Sequence, residues 1–121
     1  VTDTRRRHLA RLAGWAAVVL VAVPFLVNAV VSLGLDWHPA SDRAVIVTRV
    51  DDVLSGDRPL VGAYSRFGFN HPGPLGPYVL APGFEAAGPA GVLATGAAIN
   101  GVAAVGVVAL VRRRGGDLAA V

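Results

Sequence analysis

The run "GWAAVVLVAVPFLVNAVVSLGL", Gly14 to Leu35, strings together 22 residues without a formal charge. As an α-helix it would measure roughly 33 Å, which matches a hydrocarbon core of ~30 Å. A second run, "GPAGVLATGAAINGVAAVGVVALV", Gly88 to Val111, is also free of charge. The whole chain has 121 residues, 54% of them hydrophobic and 16% charged. A soluble domain of that size has too little interior to hide both runs, because its surface is a large share of its volume. A bilayer is the natural solvent for them. The fold class expected is therefore an all-α membrane protein, with two transmembrane helices joined by an extracytoplasmic loop that holds a short amphipathic helix.

Inside the first run Pro24 removes one backbone donor and is expected to kink the helix. Asn28 is its one strongly polar side chain, and Trp15 and Trp37 mark its two ends, where interfacial Trp concentrates. The second run carries Gly91, Ala94, Gly96, Ala97, Ala98, Gly101 and Ala104. Small residues let helices approach closely in lipid, so this span is expected to pack against other helices. A compositional bias toward Ala and Gly is the alternative source of the same pattern. Asn100 in this span is a possible partner for Asn28.

All eleven basic residues are Arg, the net charge is +3, and the arginines cluster beside the apolar runs: "RRRHLAR" (Arg5 to Arg11) before the first, "RRR" (Arg112 to Arg114) after the second. Lipid headgroups explain that placement and nucleic acid does not. Positive flanks stay cytoplasmic. The organisation read from the sequence is a cytoplasmic basic N-terminus (1–13), a first span (14–35), an outward loop (36–87), a second span (88–111) and a cytoplasmic tail (112–121). The loop carries four Arg against five Asp and one Glu, as an outward segment should. A bacterial plasma membrane is the expected location. The Ala, Val, Gly, Arg and Pro bias fits a GC-rich bacterial genome, and Val1 fits a GTG start codon read literally. Arg6-Arg7 loosely echoes a twin-arginine signal, but the apolar stretch is too long for an h-region and lacks a clean cleavage site. With no Cys, disulfides and thiolate metal sites are excluded.

Within the loop, "SDRAVIVTRVDDVLSG" (41–56) reads as an amphipathic helix: Ile46, Val50, Val53 and Leu54 share one stripe. Ser41 or Asp42 can cap its first turn and Gly56 can end it, and such a helix is expected to lie along the membrane surface. A Pro/Gly-rich segment (59–83) follows and is expected to return the chain to the bilayer in broken pieces. It includes "SRFGFNHPGPLGPY", with His71 and three aromatics.

Taken in order, these features are a first span, an outward loop with Asp42 opening an amphipathic helix, the element "HPGPL" (His71 to Leu75), and a second span. That order resembles the start of the polytopic membrane glycosyltransferases of the C type, in the branch of protein mannosyltransferases and lipid A aminoarabinose transferases. These take sugars from polyprenyl-phosphate donors. Their first outer loop carries an Asp-Glu pair and, further on, a His-Pro-Pro-Leu-like motif. The resemblance covers residues 14 to 111, with two departures: Arg43 follows Asp42 where Glu is usual, and two spans stand where the family has many.

The resemblance implies that Asp42 is the catalytic base, accepting the acceptor's hydroxyl proton, or helps to hold a divalent cation. His71 and Arg66 are then candidates for binding the donor phosphate. Each residue has a plainer reading: Asp42 as a helix cap, His71 as a loop hydrogen-bonder beside Pro72, Arg66 as a solvated side chain. Asp51 and Asp52 read as a solvated face. His38, also followed by Pro, can be paired with His71 as a metal site only without support from spacing. No P-loop, Rossmann glycine pattern, zinc spacing or nucleophile elbow is present, and no metal ligands are assigned. Two functions follow. The first is a truncated or split N-terminal module of a membrane glycosyltransferase with a polyprenyl-phosphate sugar donor, inactive alone and partnered by lipid and by the remaining enzyme half. The second is a small two-span protein that packs against other transmembrane helices in a cell-envelope complex. A two-span receptor is disfavoured by a loop too short and broken for a sensory domain.

Overall fold

The computed structural model describes residues 2–115 and contains three helices: α1 (Thr2–Leu33), α2 (Asp42–Leu54) and α3 (Leu75–Gly115). Val1 and residues 116–121, the end of the expected cytoplasmic tail, lie outside the described residues. Two stretches, Thr4–Leu33 and Leu75–Arg114, are long and apolar enough to cross a membrane, with mean hydropathies of 2.5 and 1.9 in their most apolar windows. Only 6% and 11% of their most apolar windows are buried by the chain itself. A soluble core helix would be mostly buried, so these surfaces need another apolar partner.

The helix boundaries differ from the apolar boundaries, for a physical reason. α1 begins at Thr2, twelve residues before the first apolar run. Arg, Leu and Ala are good helix formers, so the backbone stays helical where the hydropathy has already ended. α1 also runs through Pro24 without interruption in its assignment.

α3 contains a break. Ala87 (φ −149, ψ 22) and Gly88 (φ 57, ψ −145) leave helical geometry and separate an arm from Leu75 from a second arm starting at Pro89. Gly88 supplies the positive φ, and Pro89 opens the next helix where a missing N–H does no harm. The break coincides with the start of the second apolar run. The arm before it, across Pro77 and Pro82, is helical where broken segments were expected. Pro77 falls in the first turn, where its absent donor has no intrahelical partner to lose. In an unbroken helix Gly83 and Gly91 would be ~12 Å apart. Here a Cβ on Gly83 would come within 2.6 Å of the Gly91 carbonyl oxygen, so the chain reverses and the arms touch.

The chain divides into two compact units. One combines the chain up to Asn28 with the chain from Ala97 onward, and the other is Ala29–Gly96. In the first unit, a Cβ on Gly101 would meet the Phe25 Cβ at 2.9 Å, and the Arg112 guanidinium lies 4.8 Å from the Trp15 ring centroid. Moving ten residues back along α1 thus corresponds to moving eleven forward along α3. These segments are antiparallel neighbours, and the missing side chain of Gly101 is what admits Phe25. Of the small residues of the second run, Gly101 makes this close approach, while a Cβ on Gly96 would meet nothing within 4 Å. Neither Asn28 nor Asn100 is without a partner.

The second unit has its own small core. Val50, Ala81 and Val92 are buried, with Val47, Val53, Leu80 and Phe84 packed against them. Part of the apolar stripe of α2 therefore packs on α3, through Val50 and Val53, while Ile46 and Leu54 stay exposed.

Candidate functional site

The loop between α2 and α3 folds into a tight hairpin. Gly62 N–H donates to the His71 carbonyl (2.8 Å), His71 N–H to Ala63 (2.9 Å) and Ser65 N–H to Phe69 (2.7 Å). Tyr64 and Asn70 form an antiparallel bridge. The turn is "SRFG": Gly68 N–H donates to the Ser65 carbonyl (3.0 Å), and the Ser65 hydroxyl accepts from Phe67 N–H (3.2 Å). Ser at the first position and Gly at the fourth suit a type I turn closed by a glycine bulge, and Gly68 takes φ +85 as that geometry requires. Gly62 cannot be replaced freely, because a Cβ there would lie 2.8 Å from the His71 carbonyl oxygen. The stiff loop expected from composition is thus an ordered platform.

That platform faces the first turns of α2. Ser41, at the N-cap position, has φ 54 and ψ −135, and its side chain makes no capping hydrogen bond. Capping needs an extended backbone at this position, so the expected Ser41 cap does not form. Its carbonyl accepts instead from Ala44 (3.0 Å) and Val45 (3.3 Å). Asp42, Val45 and Ile46 then project at helical spacing toward the hairpin.

A cleft of ≈ 400 Å³ results, lined by Asp42, Val45 and Ile46 of α2 and by hairpin residues including Tyr64, Arg66, Phe69 and His71. The three residues singled out from the sequence, Asp42, Arg66 and His71, therefore border one space. The aromatics were missed as lining residues. The signal available was their alternation about Gly68 in "YSRFGF", which gives a hairpin aromatic rings on its flanks. The Arg66 guanidinium lies 5.0 Å from the Phe67 ring centroid, and Phe69 meets His71 edge-on at 5.5 Å. These contacts limit where the two cationic-capable groups can swing. Asp42, Arg66 and His71 are all exposed, so the cleft is open to water.

His38 belongs to a different cleft of ≈ 380 Å³, bordered by Trp37, Ala40, Ser41, Asp42 and Arg43, and its Nδ1 is 3.9 Å from an Asp36 carboxylate oxygen. His38 and His71 thus line different ones of these two clefts. Among the described residues no three His, Cys, Asp or Glu are grouped to hold a metal ion. The larger cleft has one carboxylate and one imidazole, a donor set that does not fit an oxygen-seeking divalent cation. Asp51 and Asp52 lie outside it, and Asp52 accepts a hydrogen bond from Arg49 at 3.2 Å.

Chemically, the lining of the cleft offers a carboxylate, a guanidinium, an imidazole and aromatic rings. Such walls suit a polyhydroxylated ring stacked on an aromatic face, with an anionic group held by Arg66. No family model matches the chain, and neither curated proteins nor solved structures gave a match.

Proposed function

We propose that this chain is a membrane-embedded module of a glycosyltransferase that draws its sugar from a polyprenyl-phosphate donor, and that it works only with further membrane helices. The observation that carries the reading is the convergence of Asp42, Arg66 and His71 on one aromatic-walled cleft. In this reading Asp42 removes the acceptor's hydroxyl proton as the anomeric carbon is attacked. Arg66 and His71 meet the phosphate that departs with the lipid. The need for partners follows from the apolar helices, which the chain itself scarcely covers. Two spans cannot enclose both a lipid-linked donor and an acceptor.

The test is photocrosslinking of reconstituted chain with a photoreactive polyprenyl-phosphate sugar. Label is expected in peptides covering 63–71 and is expected to fall with Arg66→Gln. Label confined to α1 and α3 rejects the reading. In membranes lacking every other transferase the chain alone should transfer no radiolabelled sugar.

The membrane is taken to be a bacterial plasma membrane with both termini cytoplasmic. Support comes from arginine flanks brought to one end of an antiparallel helix pair and from a net acidic middle. With Thr4→Cys and Ser55→Cys, an impermeant thiol reagent on intact cells should label position 55 alone. Labelling at position 4 alone reverses the topology.

A second reading, a packing partner within a cell-envelope complex, is favoured by the same exposed helix faces. It predicts recovery with another membrane protein in detergent and no crosslinking at the hairpin.

A further inference from the structure

In the first unit the two arginine clusters come together. Arg112 stacks on Trp15, and Arg7 and Arg11 precede Trp15 at a stride of four, which puts all three on one face of α1. The antiparallel register set by Phe25 against Gly101 and Trp15 against Arg112 brings Arg113 and Arg114 to the same end. Arg11, Arg112, Arg113 and Arg114 therefore lie at one end of the pair, with Arg5, Arg6 and Arg7 one to two turns further along α1. Immediately beside them α1 exposes Leu9 (55%), Leu12 (53%) and Trp15 (62%). A basic surface that borders exposed apolar side chains matches a partner with both a negative head and an apolar body.

We infer that the facing ends of α1 and α3 form one binding surface for an anionic phospholipid, with Arg11 and Arg112 on the headgroup phosphate and Leu12 and Trp15 against the upper acyl chains. The Arg112 guanidinium carbon sits over the Trp15 ring at 4.8 Å, so the cation and the indole lie together at one place on this surface. A nucleic acid would meet the same charge but would leave the leucines and the indole facing water. The surface lies apart from the cleft residues in sequence and stands whether or not the transferase reading holds.

Trp15 is its own reporter once Trp37→Phe has removed the other indole. The purified chain in neutral detergent is titrated with phosphatidylglycerol, with phosphatidylcholine and with inorganic phosphate, and bound lipid is counted independently by native mass spectrometry. Phosphatidylglycerol should change Trp15 emission saturably, and the other two should not. Arg11→Gln with Arg112→Gln should weaken the apparent affinity by about ten-fold or more, at roughly one order of magnitude or less per arginine. Arg43→Gln with Arg58→Gln removes the same formal charge from the loop and should leave affinity and lipid count unchanged. An equal response to phosphatidylcholine, or reproduction of the response by phosphate, overturns the inference. So does an equal loss from the Arg43 and Arg58 pair.

Discussion

The two units bury different kinds of residue: glycines in the first, a small cluster of aliphatic side chains in the second. In the helix pair of the first unit the buried described residues are the glycines Gly14 and Gly101, while Leu20, Leu26 and Val102 stay open at 73%, 62% and 74%. In the second unit Val50, Ala81 and Val92 are buried together, and a hairpin satisfies its own backbone groups. A surface that lipid covers has no need of internal burial, and the second unit is where the chain packs side chains against itself. The contrast explains why the candidate cleft lies in the unit that can hold a hairpin and a helix rigidly without help.

The largest expected effect is functional and belongs to the second unit. In an assembled, active transferase, Asp42→Asn should lower sugar transfer by ~10²-fold or more, since a side chain of the same size loses its basicity. Helicity by circular dichroism should not change, because Ser41, not Asp42, occupies the cap position. Transfer at the wild-type level removes Asp42 as the base.

The next effect sharpens the contrast by making one substitution in both units. Val50 is 0% exposed and Val102 is 74% exposed. Val50→Ala should cost about 2 kcal/mol in the second unit through lost burial and an incompletely closed cavity. Val102→Ala should stay within roughly 0.5 kcal/mol. Hydrogen exchange at the Gly62 and His71 amides reads the first, and thermal loss of helicity in detergent reads the second. Equal costs would mean that the small core does not hold the second unit together.

Glycines allow a similar pairing with a change of sign. Gly91 touches Gly83 across the break in α3, and a Cβ there would overlap its carbonyl group, while a Cβ on Gly106 meets nothing within 4 Å. Gly91→Ala should therefore destabilise the paired arms by ~1–3 kcal/mol. Gly106→Ala should stabilise its helix by roughly 0.5–1 kcal/mol. Stabilisation by both would show that the arms separate readily in the membrane.

What the sequence made legible follows the same division. Hydropathy identified both long helices, because lipid acts on composition averaged over many residues, and the start it gave the second run, Gly88, coincides with a break in α3 that it did not predict. It could not mark the ends of α1, since "TDTRRRHLARLA" is helical without being apolar. α2 was readable from its period, with the helix at Asp42–Leu54 inside the expected 41–56. The hairpin was hidden because three prolines in "HPGPLGP" suggested an irregular chain, while the ordering information sat in "SRFG", four residues whose turn closes through two hydrogen bonds. Asp42, Arg66 and His71 were named singly. Their common cleft depends on a turn and on the start of α2, neither of which residue spacing along the chain can express.

The smallest expected effect concerns the polar side of α2. Arg49 and Asp52, three residues apart, pair at 3.2 Å with both side chains 29% exposed. Helical pairs at this spacing contribute only ~0.2–0.5 kcal/mol because water screens them and both side chains lose freedom. Arg49→Gln should therefore shift stability by no more than ~0.5 kcal/mol, and high salt should erase the difference from wild type. The measurement separates two accounts of how α2 is held. If Val50 and Val53 anchor the helix against α3, removing the ion pair barely changes exchange at the hairpin amides. A loss approaching that of Val50→Ala would instead make the pair the main restraint on α2, and the cleft that Asp42 borders would then depend on ionic strength.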